Sequence, residues 1–96
     1  MNKRKIKDEY LDIVINDIKF GMENLGPGII AVFCKEDVMG RDIETRIDDF
    51  VNEEIKCYGD GYPHKREDID YEYSNNERIY IKLKNEVIEE LKRSCF

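Results

Sequence analysis

The chain has 96 residues, enough for one domain that buries its own core without disulfide staples and too few for two. Charged residues make up 40% and apolar residues 41%, and the apolar ones recur periodically, which excludes a disordered segment. The formal net charge is −6, but Lys3, Arg4, Lys5 and Lys7 precede the first acid, so residues 8–96 hold twelve bases against twenty-two acids, a net of −10.

A body of that sign repels nucleic acid and anionic membranes and attracts basic protein surfaces. The sequence has no run of eighteen apolar residues and no leader pattern, so a cytoplasmic protein with no membrane contact is expected. Cys34, Cys57 and Cys95 are odd in number and widely spaced, which predicts reduced, mostly buried thiols rather than a disulfide framework. Abundant Ile, Lys, Asn, Glu and Asp with a single alanine, Ala31, are the residues of AT-rich codons and point to a low-GC bacterium, or to a phage or plasmid within one.

Residues 1–5 are expected to be a flexible basic start to a single globular domain spanning 1–96. Over residues 5–25, Leu11, Val14, Ile15, Ile18, Met22 and Leu25 recur at three and four, which predicts a long first helix stopped by Gly26-Pro27-Gly28. The β-branched content of 12–20 allows two short strands as the competing assignment. A second apolar stripe, Ile6, Tyr10, Ile13 and Phe20, falls on another side of that helix. It predicts either a homodimer face or a helix wrapped on two sides by the other helices.

Residues 28–35 are almost wholly apolar and read as a central strand buried on both faces. Asp42 then caps a second helix with an inner face of Ile43, Ile47, Phe50, Val51 and Tyr58 and an acidic outer face of Glu44, Asp48, Asp49 and Glu53. Residues 59–66 are dense in turn formers and form the one long loop.

Two period-two arms over 67–84 make a hairpin. A three-residue loop at 75–77 pairs Tyr73 with Ile79, Tyr71 with Ile81 and Ile69 with Leu83. It also sets Asp70 against Lys82 and Asp68 against Lys84, ion pairs of about 0.2–1 kcal/mol each, and either asparagine of the loop can supply its left-handed residue. A last helix begins at Asn85 and buries Val87, Ile88, Leu91 and Cys95. The order α-β-α-β-β-α, with a crossover from the first strand to a parallel neighbour, predicts a two-layer α+β domain on a small three-stranded mixed sheet.

No motif carries chemistry. His64 is the single histidine, in the irregular loop beside Asp60, Lys65 and Arg66, and it reads as a solvated side chain. Cys57, His64 and the distant Cys34 or Cys95 lack the paired spacing of a zinc site, so no metal, cofactor or catalytic residue is assigned. Gly26-Pro27-Gly28 precedes a strand, so it cannot cradle a phosphate at a helix N-terminus. The tyrosines of the hairpin alternate with acids, the wrong sign for a single-strand nucleic-acid platform.

What remains is acid, and Glu44, Asp48, Asp49, Glu53, Asp68, Asp70 and Glu72 are the expected partner-binding residues. They suit a non-enzymatic module that inhibits or regulates a basic protein, such as a nucleic-acid-handling enzyme or a toxin. A phage anti-defence (anti-CRISPR) inhibitor and a toxin neutraliser are its two forms. The alternative, from another class, is a small-ligand or nucleotide-binding regulator that uses Asp60, His64, Lys65 and Arg66.

Overall fold

Three helices lie against one face of a three-stranded sheet in the computed structural model, which describes residues 6–38, 42–59, 61–74 and 77–95. The basic segment 1–5, Asp60 and the Asn75-Asn76 turn lie outside the described residues. Along the chain the elements are α1 (Leu11–Lys19), β1 (Ile29–Cys34), α2 (Ile43–Tyr58), β2 (Ile69–Tyr73), β3 (Arg78–Leu83) and α3 (Asn85–Cys95). The order is the α-β-α-β-β-α expected from periodicity.

The sheet is antiparallel throughout, ordered β1-β3-β2, not mixed. β1 and β2 do run parallel on either side of the α2 crossover, but β3 is inserted between them and removes any parallel ladder. The short hairpin keeps β2 and β3 adjacent, and the inward side chains of β3, Ile79, Ile81 and Leu83, are all fully buried. A strand with so apolar an inner row gains most by occupying the centre. The apolar run 28–35 therefore becomes an edge strand, in which Ala31 and Phe33 are buried, Val32 is half-buried and Cys34 is exposed. Between Ile29 and Ala31 the register shifts by a bulge, and Ile30 packs with the helices.

The hairpin register is the expected one, with Ile69 opposite Leu83, Tyr71 opposite Ile81 and Tyr73 opposite Ile79. Its ionic partners differ from those expected. Lys82 Nζ reaches diagonally to Glu72 Oε2 at 3.3 Å, while Asp68 is buried and accepts the Lys65 amide at 3.0 Å. Asp70 does stand opposite Lys82 as expected, and the buried apolar row fixes that register with the diagonal Lys82–Glu72 pair beside it. Among the described residues of the turn, Glu77 is left-handed, at φ 58°.

α1 is shorter than the periodicity suggests. A 3-10 turn at Asp8–Tyr10 leads into it, and the helix ends at Phe20 and Gly21, whose amides both donate to Asn16 O. The following segment folds back on the helix, with the Gly26 amide on Phe20 O and the Gly28 amide on Asp17 O. Gly21, at φ 69° and ψ −176°, makes the reversal, and Gly26-Pro27-Gly28 is the entry to β1 rather than a helix stop.

α2 starts where expected, with Asp42 in an extended cap conformation but without a side-chain cap hydrogen bond. The core unites Val14 and Ile18 of α1, Ile47 and Val51 of α2 and Val87 and Leu91 of α3 with the inner sheet face. Phe33 meets Phe50 edge-on at 5.8 Å, and the Arg46 guanidinium covers its ring at 4.2 Å. Cys34 and Cys57 are exposed thiols outside any disulfide, contrary to the burial expected of them, and the Cys95 side chain lies outside the described part. Among the described residues no helix is long and apolar enough to cross a membrane.

Gly21 and Gly59 adopt nearly the same backbone conformation, at φ 69° and 89°. A Cβ on Gly21 falls 1.8 Å from Gly26 O, whereas one on Gly59 meets nothing within 4 Å. Gly59→Ala should therefore lose about 1–3 kcal/mol of stability to backbone strain. Gly21→Ala should lose clearly more, with urea-unfolding midpoints as the comparison.

Candidate functional site

Asp17 and Glu54 are the two carboxylates that break the apolar stripes of their helices. At about 100° per residue, Asp17 lies on α1 between Tyr10, Ile13 and Val14, and Glu54 lies on α2 between Ile47, Phe50 and Tyr58. A charge on an inward stripe is costly unless something pairs with it. Both face a pocket of about 180 Å³, walled by Ile13, Ile30 and Phe50 and by the rings of Tyr58 and Tyr62.

The partner of Asp17 is His64. The imidazole is 1% exposed and its Nε2 lies 2.9 Å from Asp17 Oδ2. An ionised carboxylate can only accept, so Nε2 carries the proton. Nδ1 is buried without a hydrogen-bond partner among the described residues, a desolvation cost of about 1–3 kcal/mol. The solvated histidine expected from the loop composition is therefore an interior one, because Asp17 gives it a buried acceptor and Tyr62 covers it edge-on at 5.5 Å.

An aromatic row continues outward from His64. Tyr62 stacks on Tyr58 at 5.7 Å with 15° between planes, and Tyr58 meets Tyr10 edge-on at 6.4 Å. The Tyr10 hydroxyl donates to the Tyr58 carbonyl. These contacts take apart the proposed dimer stripe. Tyr10 is buried, Ile6 packs on the core and Ile13 lines the pocket, which leaves Phe20 alone exposed, at 53%. The second stripe is covered within the chain by the end of α2 and by the loop over 59–66, not by the other helices alone.

The electrostatics of the pocket are negative. Burial pushes the Glu54 carboxyl above its ordinary value of 4.5, and the like charges of Asp17 and Glu53 push it further, with His64 opposing. Burial, with Glu54 and Asp17 beside it, also raises the Tyr62 phenol, which stays protonated and able to donate. Among the described residues no serine or cysteine lines the pocket. It offers two carboxylates, two tyrosine rings and an apolar wall, a set that suits a cation with an apolar stem.

The other expected site residues do not converge. Arg66 Nε pairs with Asp48 Oδ1 at 3.0 Å, its Nη2 pairs with Glu44 and its Nη1 donates to Ile69 O, so it is spent on α2 and the start of β2. Lys65 is exposed, and Asp60 lies outside the described residues. Asp68 is buried in its turn and cannot meet a partner protein. Asp70 and Glu72 alternate with Ile69 and Tyr71 and so sit on the sheet face away from the helices, apart from Asp49 and Glu53 on α2. The single acidic surface expected from the sequence is thus divided between two sides of the molecule.

Among the described residues no three of His, Cys, Asp and Glu come together as metal ligands. No protein-family model, curated protein or solved structure matches the chain.

Asp17 and Glu54 each carry a sequence signal, as acids at apolar helical positions. The partner of Asp17, forty-seven residues away, carries none.

A carboxyl raised in the folded state contributes stability when protonated. That contribution is complete below pH 4.5 and is lost as pH rises through the raised folded value. Ionised Glu54 therefore weighs on the fold at neutral pH. Glu54→Gln should be more stable than the parent at neutral pH, and the gap should close below pH 4.5 when thermal unfolding is compared across pH.

Proposed function

We propose that this chain is a non-enzymatic protein-binding module whose target is a basic protein. The observation that carries this reading is the concentration of acid along α2. Asp48, Asp49, Glu53 and Glu54 follow one another along it, Glu54 shares its pocket with Asp17, and Arg66 pairs with Asp48. Burial first, and then the like charges of Asp17 and Glu53, raise the Glu54 carboxyl.

The small-ligand alternative draws less support. An acid-lined pocket repels phosphate, and Arg66, the cation that would have met a nucleotide, is already paired with Glu44 and Asp48. A pocket of about 180 Å³ is also smaller than the roughly 300–1,000 Å³ of usual small-molecule sites.

As a module for a basic partner the chain suits two roles, a phage anti-defence inhibitor that competes with nucleic acid for an enzyme groove, and a neutraliser of a basic toxin. Both belong in the cytoplasm of a low-GC bacterium, where exposed Cys34 and Cys57 would stay reduced.

The test begins with tagged protein and a nuclease-treated lysate of such a bacterium. The captured protein is identified, purified and measured for association rate. Its rate constant should fall about tenfold or more between low and moderate salt, as steered encounters do. Glu53→Lys, at an exposed site on α2, should lower it further at low salt. A partner that is not basic, or an association rate indifferent to salt and to Glu53→Lys, would contradict the proposal.

A further inference from the structure

We infer that the pocket between α1 and α2 is the anchor site for an arginine side chain of the partner, with Asp17 and Glu54 taking the guanidinium and Tyr58 and Tyr62 lining the pocket beside it. This rests on the reading of the chain as a module for a basic protein, and it names the point at which the two surfaces lock.

Size comes first. A volume of about 180 Å³ accommodates one long side chain, not a drug-sized ligand. Shape and chemistry then select which one. The apolar wall of Ile13 and Phe50 suits an aliphatic stem, and the same pocket is lined by the two carboxylates. Two carboxylates held on different helices call for a wide planar donor set, which a guanidinium has and a compact ammonium lacks. A guanidinium also offers five donors in a fixed fork, enough to serve two carboxylates at once.

The site is formed before any partner arrives. His64 fixes Asp17 through Nε2, and the Tyr10 hydroxyl fixes the backbone at Tyr58. Little ordering entropy is then left to lose on binding. Glu54 shares the pocket with the like charge of Asp17, so a cation that meets both relieves that repulsion. Buried arginine anchors in aromatic-walled pockets are the kind of contact that dominates protein interfaces.

The test is a proton–nitrogen NMR titration of the full chain with N-acetyl-arginine methylamide. The citrulline analogue, a neutral isostere, and the lysine analogue serve as comparators. Arginine should shift the amides around Asp17, Glu54 and Tyr62, lysine should bind more weakly and citrulline should leave them unmoved. Glu54→Gln, which should fold at least as well as the parent, should weaken arginine binding about tenfold or more, the worth of one charge-assisted contact. Asp70→Asn, on the far face of the sheet, should not. Shifts of equal size with citrulline, arginine shifts confined to the outer face of α2, no shift at the pocket, or binding unchanged in Glu54→Gln would each overturn the inference. The two proposals fail separately: a silent pocket together with salt-sensitive capture of a basic partner removes the anchor and leaves the module.

Discussion

The hydrogen bond between His64 Nε2 and Asp17 Oδ2 joins segments that lie forty-seven residues apart, and much of the molecule's shape on that side depends on it. It draws the loop over 59–66 onto the flank of α1, where Gly61 lies so close to the Tyr10 ring that a Cβ there would approach it to 2.7 Å. From that anchorage follow the row of rings from Tyr10 through Tyr58 and Tyr62, the position from which Arg66 reaches α2, and the turn in which Asp68 receives the Lys65 amide before β2 begins. A buried ionic hydrogen bond is a poor source of net stability, because desolvating both groups offsets most of their attraction. Its value here is geometric. It selects one path for a loop whose Gly- and Pro-containing sequence permits many.

Parts of the fold governed by local periodicity were legible in the sequence. The hairpin is the clearest case, since one apolar row on each arm admits a single register, and Ile69, Tyr71 and Tyr73 meet Leu83, Ile81 and Ile79 as expected. Strand order was less legible. An apolar run such as Ile29–Cys34 reads as central, yet centrality is decided by which strand has neighbours on both sides, and the hairpin arm β3 took that place. The helix end was misplaced for a similar reason. Gly21 and Gly26-Pro27-Gly28 are both credible stops, and the choice between them is made by backbone contacts of the reversal, such as the Gly28 amide on Asp17 O.

The site was half legible. Asp17 and Glu54 stand on stripes that should be apolar, and helical periodicity alone marks them as exceptions. His64 gives no such signal, because nothing in residues 59–66 distinguishes an imidazole that turns inward from one that faces water. Charge counted along the sequence was also misleading about surfaces. Strand alternation sends Asp70 and Glu72 to the open face of the sheet, and a turn buries Asp68, so acids adjacent in sequence do not make one patch. What stays together does so through helix geometry on α2 and through the pocket it shares with α1.

Retaining two inward carboxylates beside one histidine works against stability, and a glutamine at position 54 would relieve it. Strain of this kind is characteristic of positions kept for binding rather than for folding. The account therefore depends on whether the pocket is formed in the free protein by the His64–Asp17 bond. The direct measurement is nitrogen-15 NMR of the imidazole ring in the unliganded chain, where a single histidine leaves no ambiguity of assignment. A proton fixed on Nε2, in slow exchange with water and close to α1, is the predicted result. A ring that exchanges its protons freely and samples both tautomers, as a solvated imidazole does, would contradict it.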